Sequence, residues 1–100
     1  MIHVDSPVWP AHGRLWAHLV SDVSLAELHA FAELLGAPRR GFDRDHYDIP
    51  AERVPVARWL GAQYATSRDI ARMLRAAGLR IPKHLTRATP ATGSGRRVRG

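Results

Sequence analysis

Histidine and aspartate side chains recur at alternate positions in three short segments of this chain. His3 and Asp5 lie in the first segment, His18 in the second, and His46 with Asp48 in the third. Because successive side chains of a β-strand point to opposite faces, residues two apart share one face of a sheet. If the three segments are neighbouring strands with these faces aligned, the side chains converge on one site.

Such a site could bind a divalent metal, because His and Asp are common ligands of these ions, although the metal itself is not specified. It could also act without a metal, with His46 as general acid or base and Asp48 orienting it. In either case His18 and His29 would be ligands or secondary acid–base groups, and Arg14 would hold an anion such as phosphate. A third interpretation is that these residues simply cover the solvated face of a half-open sheet.

Several short motifs that mark known kinds of catalytic or binding site are absent from the sequence. The segment His46–Asp48 lacks the pair of histidines four apart that marks a helical zinc site, and no glycine-rich phosphate loop follows a predicted strand. No serine lies in a nucleophile elbow. Trp9 and Trp16, with Arg14 nearby, could stack nucleic-acid bases, or they could be partly buried edge residues. Trp59 is expected in the core.

Apolar periodicity predicts the elements that would position these residues. Ser24 and Glu27 form a capping box at the start of a helix that Gly36 ends. A second helix follows Pro50, and Ser67 with Asp69 is expected to cap a third. We predict strands over 2–6, 14–20, 46–49 and 62–66, and helices over 24–36, 52–60 and 67–78.

This order of elements predicts an α/β fold of the α+β kind. We expect a compact two-layer sandwich in which about three helices cover one face of a small sheet of three or four strands. The other face would then be open to solvent. Residues 1–82 are expected to form this single domain, and residues 83–100 a basic tail that is disordered because it has little to bury.

Composition and charge exclude several classes of protein. No cysteine is present, so disulfides, thiolate metal sites and cysteine nucleophiles are absent. No stretch of about 20 apolar residues could span a membrane, and no secretory signal is visible, which predicts a cytoplasmic protein. The net charge of +6 is unevenly distributed, with −2 over residues 1–69 and +8 over residues 70–100. Basicity is therefore a property of the last helix and the tail.

A family resemblance covers roughly residues 1–76. In the segments 13–19, 27–32, 46–48 and 60–62 the chain resembles a bacterial and phage family known as domain of unknown function 4031. The resemblance names a domain without implying an activity. Ser6 stands where the family commonly has a second acidic residue, which argues against a two-carboxylate metal site there. The residues that match the family pattern are Asp5, Gly13, Arg14, His18, His29, His46, Tyr47 and Asp48.

Two functional hypotheses follow. In the first, the domain carries an anion-binding or hydrolytic site that acts on a nucleotide or nucleic acid, with Asp5, Tyr47 and Trp16 joining Arg14 in binding the substrate. In the second, the domain is a non-catalytic module that binds nucleic acid or protein through its tail and its tryptophan surface. Whether the protein is an enzyme, and whether it forms homo-oligomers, stays open from the sequence.

Overall fold

The computed structural model describes residues 1–81, so the tail predicted over residues 83–100 lies outside the described part. The predicted α+β fold is confirmed, with three α-helices beside one mixed sheet. The strands are β1 Ile2–Val4, β2 Trp9–Ala11, β3 Arg14–Ser21, β4 Phe42–Asp43, β5 His46–Pro50 and β6 Gln63–Tyr64. The helices are α1 Leu25–Leu35, α2 Val54–Trp59 and α3 Ser67–Ala76, and 3-10 turns cover Arg39–Gly41 and Ala51–Arg53.

The long strand β3 organises the sheet. The strand order is β4-β5-β3-β1-β6, and β2 pairs with the first half of β3. Strands β1 and β6 run parallel, whereas the other pairs are antiparallel. The register of β3 and β5 sets His18 directly opposite Asp48.

One face of the sheet holds the main core. Helices α1 and α2 pack on it, and its buried residues are Ile2, Val4, Ala17, Leu19, Leu28, Ala32, Leu35, Tyr47, Ile49, Ala57 and Ala62. Helix α1 begins as predicted, because Ser24 Oγ accepts a hydrogen bond from Glu27 N at 3.1 Å. The Glu27 carboxylate does not complete the capping box, since it accepts instead from Ser21 Oγ at 2.5 Å. Gly36 ends the helix in the left-handed region at φ 84°, as predicted.

Helix α3 lies on the opposite face, which corrects the prediction of a two-layer sandwich. Its buried residues Ile70 and Leu74 form a second small core with Val20 and Ala65. Val20 follows Leu19 in β3 and therefore points away from α1. Without α3 this apolar side chain would face water, so the sheet needs a helix on both sides at this end. The rest of that face is left for polar residues.

Three further expectations need correction. The sheet has six strands rather than three or four, because the short pairs made by β2 and β4 were not anticipated. Thr66 caps α3 in place of Ser67, accepting from Asp69 N at 3.1 Å. Trp59 was expected in the core but is 84% exposed, because α2 turns Ala57 to the core instead.

No helix among residues 1–81 is long and apolar enough to span a membrane.

Candidate metal centre

Three predicted site residues meet on the part of the sheet that α3 leaves uncovered. His18 in β3 lies opposite Asp48 in β5, and His46 lies two residues before Asp48 on the same face. One ligand atom from each of these three side chains lies within 4.8 Å of the other two. Strand alternation therefore predicted the convergence of His18, His46 and Asp48 correctly.

His18 is held in place by a buried carboxylate. Its Nδ1 donates to Asp5 Oδ2 at 2.7 Å, and its backbone N donates to Asp5 Oδ1 at 2.6 Å. Ser67 Oγ at the start of α3 also donates to Asp5 Oδ2, at 2.7 Å. These contacts orient the imidazole and leave its Nε2 as the nitrogen that can bind a ligand.

His46 has the same arrangement with a second carboxylate. Its Nδ1 donates to Asp45 Oδ1 at 2.8 Å. Asp45 is 1% exposed, and its other oxygen accepts from Ile81 N at 3.2 Å and lies 3.7 Å from Arg80 Nη1. The Nε2 of His46 lies 3.1 Å from Asp48 Oδ1. Both histidines therefore have Nδ1 bound to a buried aspartate, and His46 directs Nε2 at Asp48.

Asp48 supplies an oxygen that the described residues leave without a hydrogen bond. Its Oδ1 is buried, and its 3.1 Å contact with His46 Nε2 is an ion-pair distance outside hydrogen-bond geometry. A buried carboxylate oxygen of this kind is costly unless a cation lies beside it, and either a protonated His46 or a bound metal ion would be that cation. Two histidine nitrogens and one carboxylate oxygen form a donor set that divalent transition metals accept.

The buried charges depend on one another. Burial raises the pKa of Asp5, but hydrogen bonds from His18 and Ser67 outweigh it and leave that pKa below its usual value. Burial likewise raises the pKa of Asp45, and the bond to His46 reverses the shift. Burial lowers the pKa of His46, whereas Asp45 and Asp48 together raise it to about 9. Without a metal, His46 is therefore an imidazolium between two carboxylates at neutral pH.

A cleft of about 370 Å³ opens onto this cluster. Trp9 lines it and stacks on His18, with ring centroids 5.4 Å apart and planes 20° apart. Arg44 and Arg80 line the same cleft together with the carboxylates of Asp43 and Asp48, so its lining carries both signs of charge. Each of these two arginines lies within 4.0 Å of a carboxylate, Asp43 and Asp45 respectively.

His29 and Tyr47 are not part of this cluster, although both were predicted as site residues. Tyr47 alternates with His46 along β5, so it points to the other face, where it is 1% exposed within the main core. His29 in α1 packs against it, with His29 Nδ1 and Tyr47 Oη hydrogen-bonded at 2.8 Å. Burial and the nearby charge of Arg39 lower the pKa of His29. His29 and Tyr47 therefore pack against each other at the main core and lie away from the cleft.

Two other expectations also need adjustment. Asp5 was predicted to bind substrate, but it is 1% exposed, and its oxygens accept from His18 and Ser67. Its position supports the orientation of His18 instead. His3 was expected near the cluster, but its Nε2 pairs with Asp22 Oδ2 at 3.0 Å. His3 is therefore not among the side chains that converge with His18, His46 and Asp48.

Arg14 and Trp16 line a second, larger cleft of about 640 Å³ beside the first. Trp9 and Asp48 line both clefts, so the two clefts adjoin at these residues. Trp16 Nε1 donates to Ala11 O at 2.8 Å, which fixes the indole across the β2–β3 hairpin. Arg14 is half-exposed and lies 3.4 Å from Glu52.

Sequence reasoning missed Asp45 and Ser67. Asp45 directly precedes His46, which was a usable signal, because a carboxylate behind a histidine is common at metal sites. Ser67 gave no such signal, since it was assigned to a helix cap. Its contact with Asp5 joins residues 62 positions apart and depends on where α3 packs.

Comparison with known proteins identifies the class of this chain. Residues 2–77 match the family described as protein of unknown function (DUF4031), and the chain belongs to that family. The match covers most of the described domain and confirms the resemblance seen in the sequence. No curated protein and no solved structure matches the chain.

Proposed function

We propose that His18, His46 and Asp48 bind one divalent transition metal, and that the protein is a metal-dependent hydrolase acting on a phosphoester of a nucleotide or nucleic acid. The observation that carries the proposal is the repeated arrangement of a buried aspartate behind each histidine, Asp5 behind His18 and Asp45 behind His46. Ligating histidines at metal centres have this outer carboxylate, which fixes the tautomer and increases the basicity of the nitrogen that binds.

Three protein ligands leave coordination positions for water and substrate, as catalytic metal sites require. A metal held by His18, His46 and Asp48 would supply a nucleophilic water near neutral pH. Hydrolysis would add that water across the bond from phosphorus to the leaving oxygen, and one proton of the water would end on the leaving oxygen. Arg44 and Arg80, which line the cleft, would offset the negative charge of the transition state.

Two features favour a nucleotide or nucleic acid as the substrate. Trp9 lies against His18 and offers a flat apolar surface beside the metal, which suits a base. The residues that follow Asp69 carry eight basic and no acidic side chains, so the C-terminal part of the chain attracts phosphate backbones. A cytoplasmic location and a bacterial or phage origin belong to the same proposal and rest on the sequence.

The first test is calorimetric titration of the chelator-treated full-length protein with zinc, manganese and iron(II). We expect one ion per chain, and loss of binding in His46→Ala and Asp48→Ala. His29→Ala is the matched control, because it removes a histidine from the opposite face. Metal at about 100 times its dissociation constant should stabilise the fold by about 2.7 kcal/mol in thermal melts. The same samples are then assayed for hydrolysis of bis-p-nitrophenyl phosphate and of oligonucleotides.

Two results would contradict the proposal. If no metal binds, His46 belongs to a structural ion-pair network with Asp45 and Asp48. The non-catalytic binding module then becomes the better hypothesis. If iron(II) binds but no phosphoester is cleaved, the centre is of the two-histidine, one-carboxylate type that supports oxygen chemistry. Metal binding with hydrolysis that His46→Ala removes and His29→Ala preserves would support the proposal.

A further inference from the structure

The larger cleft beside the metal centre has no role in the chemistry proposed above. It measures about 640 Å³, which is within the size range of small-molecule and cofactor pockets. Trp9 and Trp16 line one side, and the segment around the 3-10 turn Arg39–Gly41 lines another. We call this cleft the tryptophan groove.

Aromatic rings form a continuous row from the tryptophan groove to the metal centre. The centroids of Trp16 and Trp9 are 6.4 Å apart, those of Trp9 and His18 are 5.4 Å apart, and those of His18 and His46 are 5.0 Å apart. Every nucleobase has a flat π-face, so the faces of Trp16 and Trp9 that line the groove can accept bases with little dependence on their sequence.

Positive charge lies along the same groove. Arg14, Arg40 and Arg53 line it, against the carboxylates of Asp48 and Glu52. Arg53 donates to Leu35 O, and Arg14 lies 3.4 Å from Glu52. Within residues 1–81, Arg40 makes neither a hydrogen bond nor an ion pair, and its side chain is exposed. Its guanidinium is therefore available to a phosphate.

We propose that the tryptophan groove binds single-stranded nucleic acid, with bases stacked on Trp16 and Trp9 and a phosphate on Arg40. This inference rests on the proposed function, since the strand would lead a phosphodiester to the metal centre where Trp9 and Asp48 line both clefts. A single strand fits better than a duplex because only unpaired bases expose their faces to aromatic side chains. A strand also fits better than a mononucleotide because the two clefts adjoin at Trp9 and Asp48, so a longer ligand can occupy both.

The test measures binding without catalysis. Fluorescence anisotropy of a labelled oligothymidine of about ten nucleotides, a typical site size, is followed with metal-free, full-length protein in chelator. Oligouridine, a DNA duplex and thymidine monophosphate are run in parallel. We expect micromolar binding of the two single strands and at least tenfold weaker binding of the duplex and the monophosphate.

Matched variants separate the groove from the rest of the basic chain. Trp16→Leu should weaken binding about tenfold by removing a stacking surface, while Trp16→Phe should keep most of it. Arg40→Ala should weaken binding and lower its salt dependence. Trp59→Leu and Arg58→Ala are controls, because both residues are exposed on α2 and neither lines the groove. Thermal melts of every variant verify that it is folded.

Several outcomes would overturn the inference. One is that the groove variants and the control variants lose affinity for the oligonucleotide equally, or that Trp16→Leu and Arg40→Ala both leave this affinity unchanged. Another is that the duplex binds as tightly as the single strand. A third is that thymidine monophosphate competes fully with the oligonucleotide. Because chelator is present throughout, failure of the metal proposal leaves this result unaffected. If the protein binds single-stranded nucleic acid but takes up no metal, the proposed metal centre is refuted and the proposed role of the groove is supported.

Discussion

At the scale of single residues, the site depends on carboxylates that do not face the cleft. Asp5 and Asp45 are each 1% exposed, and each accepts a hydrogen bond from a histidine Nδ1. Two buried anions would destabilise a fold that did not bind them to donors. Here the donors are His18 and His46, so the order of the candidate site and the stability of the sheet depend on the same contacts.

This arrangement predicts the effect of Asp5→Asn on metal affinity. The asparagine keeps the size of the side chain but removes its charge, so His18 loses the partner that fixes its tautomer. We expect metal affinity to fall about 10- to 100-fold, the usual effect of losing an outer carboxylate. Calorimetric titration with zinc measures it.

Asp22→Asn is the control for that change, because Asp22 pairs with His3 outside the cluster. It should leave the dissociation constant for zinc unchanged. Thermal melts of both variants separate loss of folding from loss of affinity. Equal zinc affinity in Asp5→Asn and the wild type would show that Asp5 serves the fold alone and does not position His18.

The same residues show what a sequence can predict of a site. Strand alternation was sufficient to group His46 with Asp48 and to add His18, because faces of a strand follow directly from the period of two. Tyr47 was nevertheless predicted to bind the substrate, although the same period of two puts it on the face opposite His46, where the structure has it. The role of Asp45 was not predicted, because it depends on the direction of a side chain at a turn, which periodicity does not encode.

At the scale of elements, α3 connects the second core to the candidate site of His18, His46 and Asp48. Ile70 and Leu74 pack on Val20 from the face opposite α1, and Ser67 in the first turn of α3 bonds to Asp5. Thr66 takes over the cap, so Ser67 is free for that contact. Movement of this helix would therefore disturb the carboxylate behind His18.

Leu74→Ala tests this connection. Leu74 is fully buried, and removing its side chain should cost about 2–5 kcal/mol of unfolding free energy. Chemical denaturation measures that loss. Leu34→Ala in α1 is the control, since Leu34 is 68% exposed and its truncation should change stability by no more than about 0.5 kcal/mol. Similar losses in both variants would contradict the packing of α3 described above.

The helices of the fold were more predictable than its layers. The cap at Ser24 and the left-handed Gly36 located α1, because caps are local features of the sequence. The side of the sheet on which α3 packs is not local, since it depends on Val20 being buried on the face away from α1. Strands β2 and β4 were missed because two or three residues are too few to show a period.

At the scale of the whole molecule, net charge is unevenly distributed along the chain. Residues 1–69 carry a net −2 and residues 70–100 a net +8, and the last of these are Arg96, Arg97 and Arg99. The groove would select single strands through stacking, whereas the C-terminal arginines would attract any phosphate backbone. Affinity and selectivity for nucleic acid should therefore respond to different substitutions.

Replacing Arg96, Arg97 and Arg99 together with serine tests that separation. Each phosphate contact on a single strand contributes about −0.7 to the slope of log affinity against log salt, so the slope should fall by up to about 2. Preference for single strand over duplex should remain, because Trp16 is unchanged. Replacement of the same three residues with lysine is the matched control and should keep the slope. Loss of the single-strand preference in the serine variant, measured by anisotropy from low to moderate salt, would place recognition in the C-terminal segment rather than in the groove.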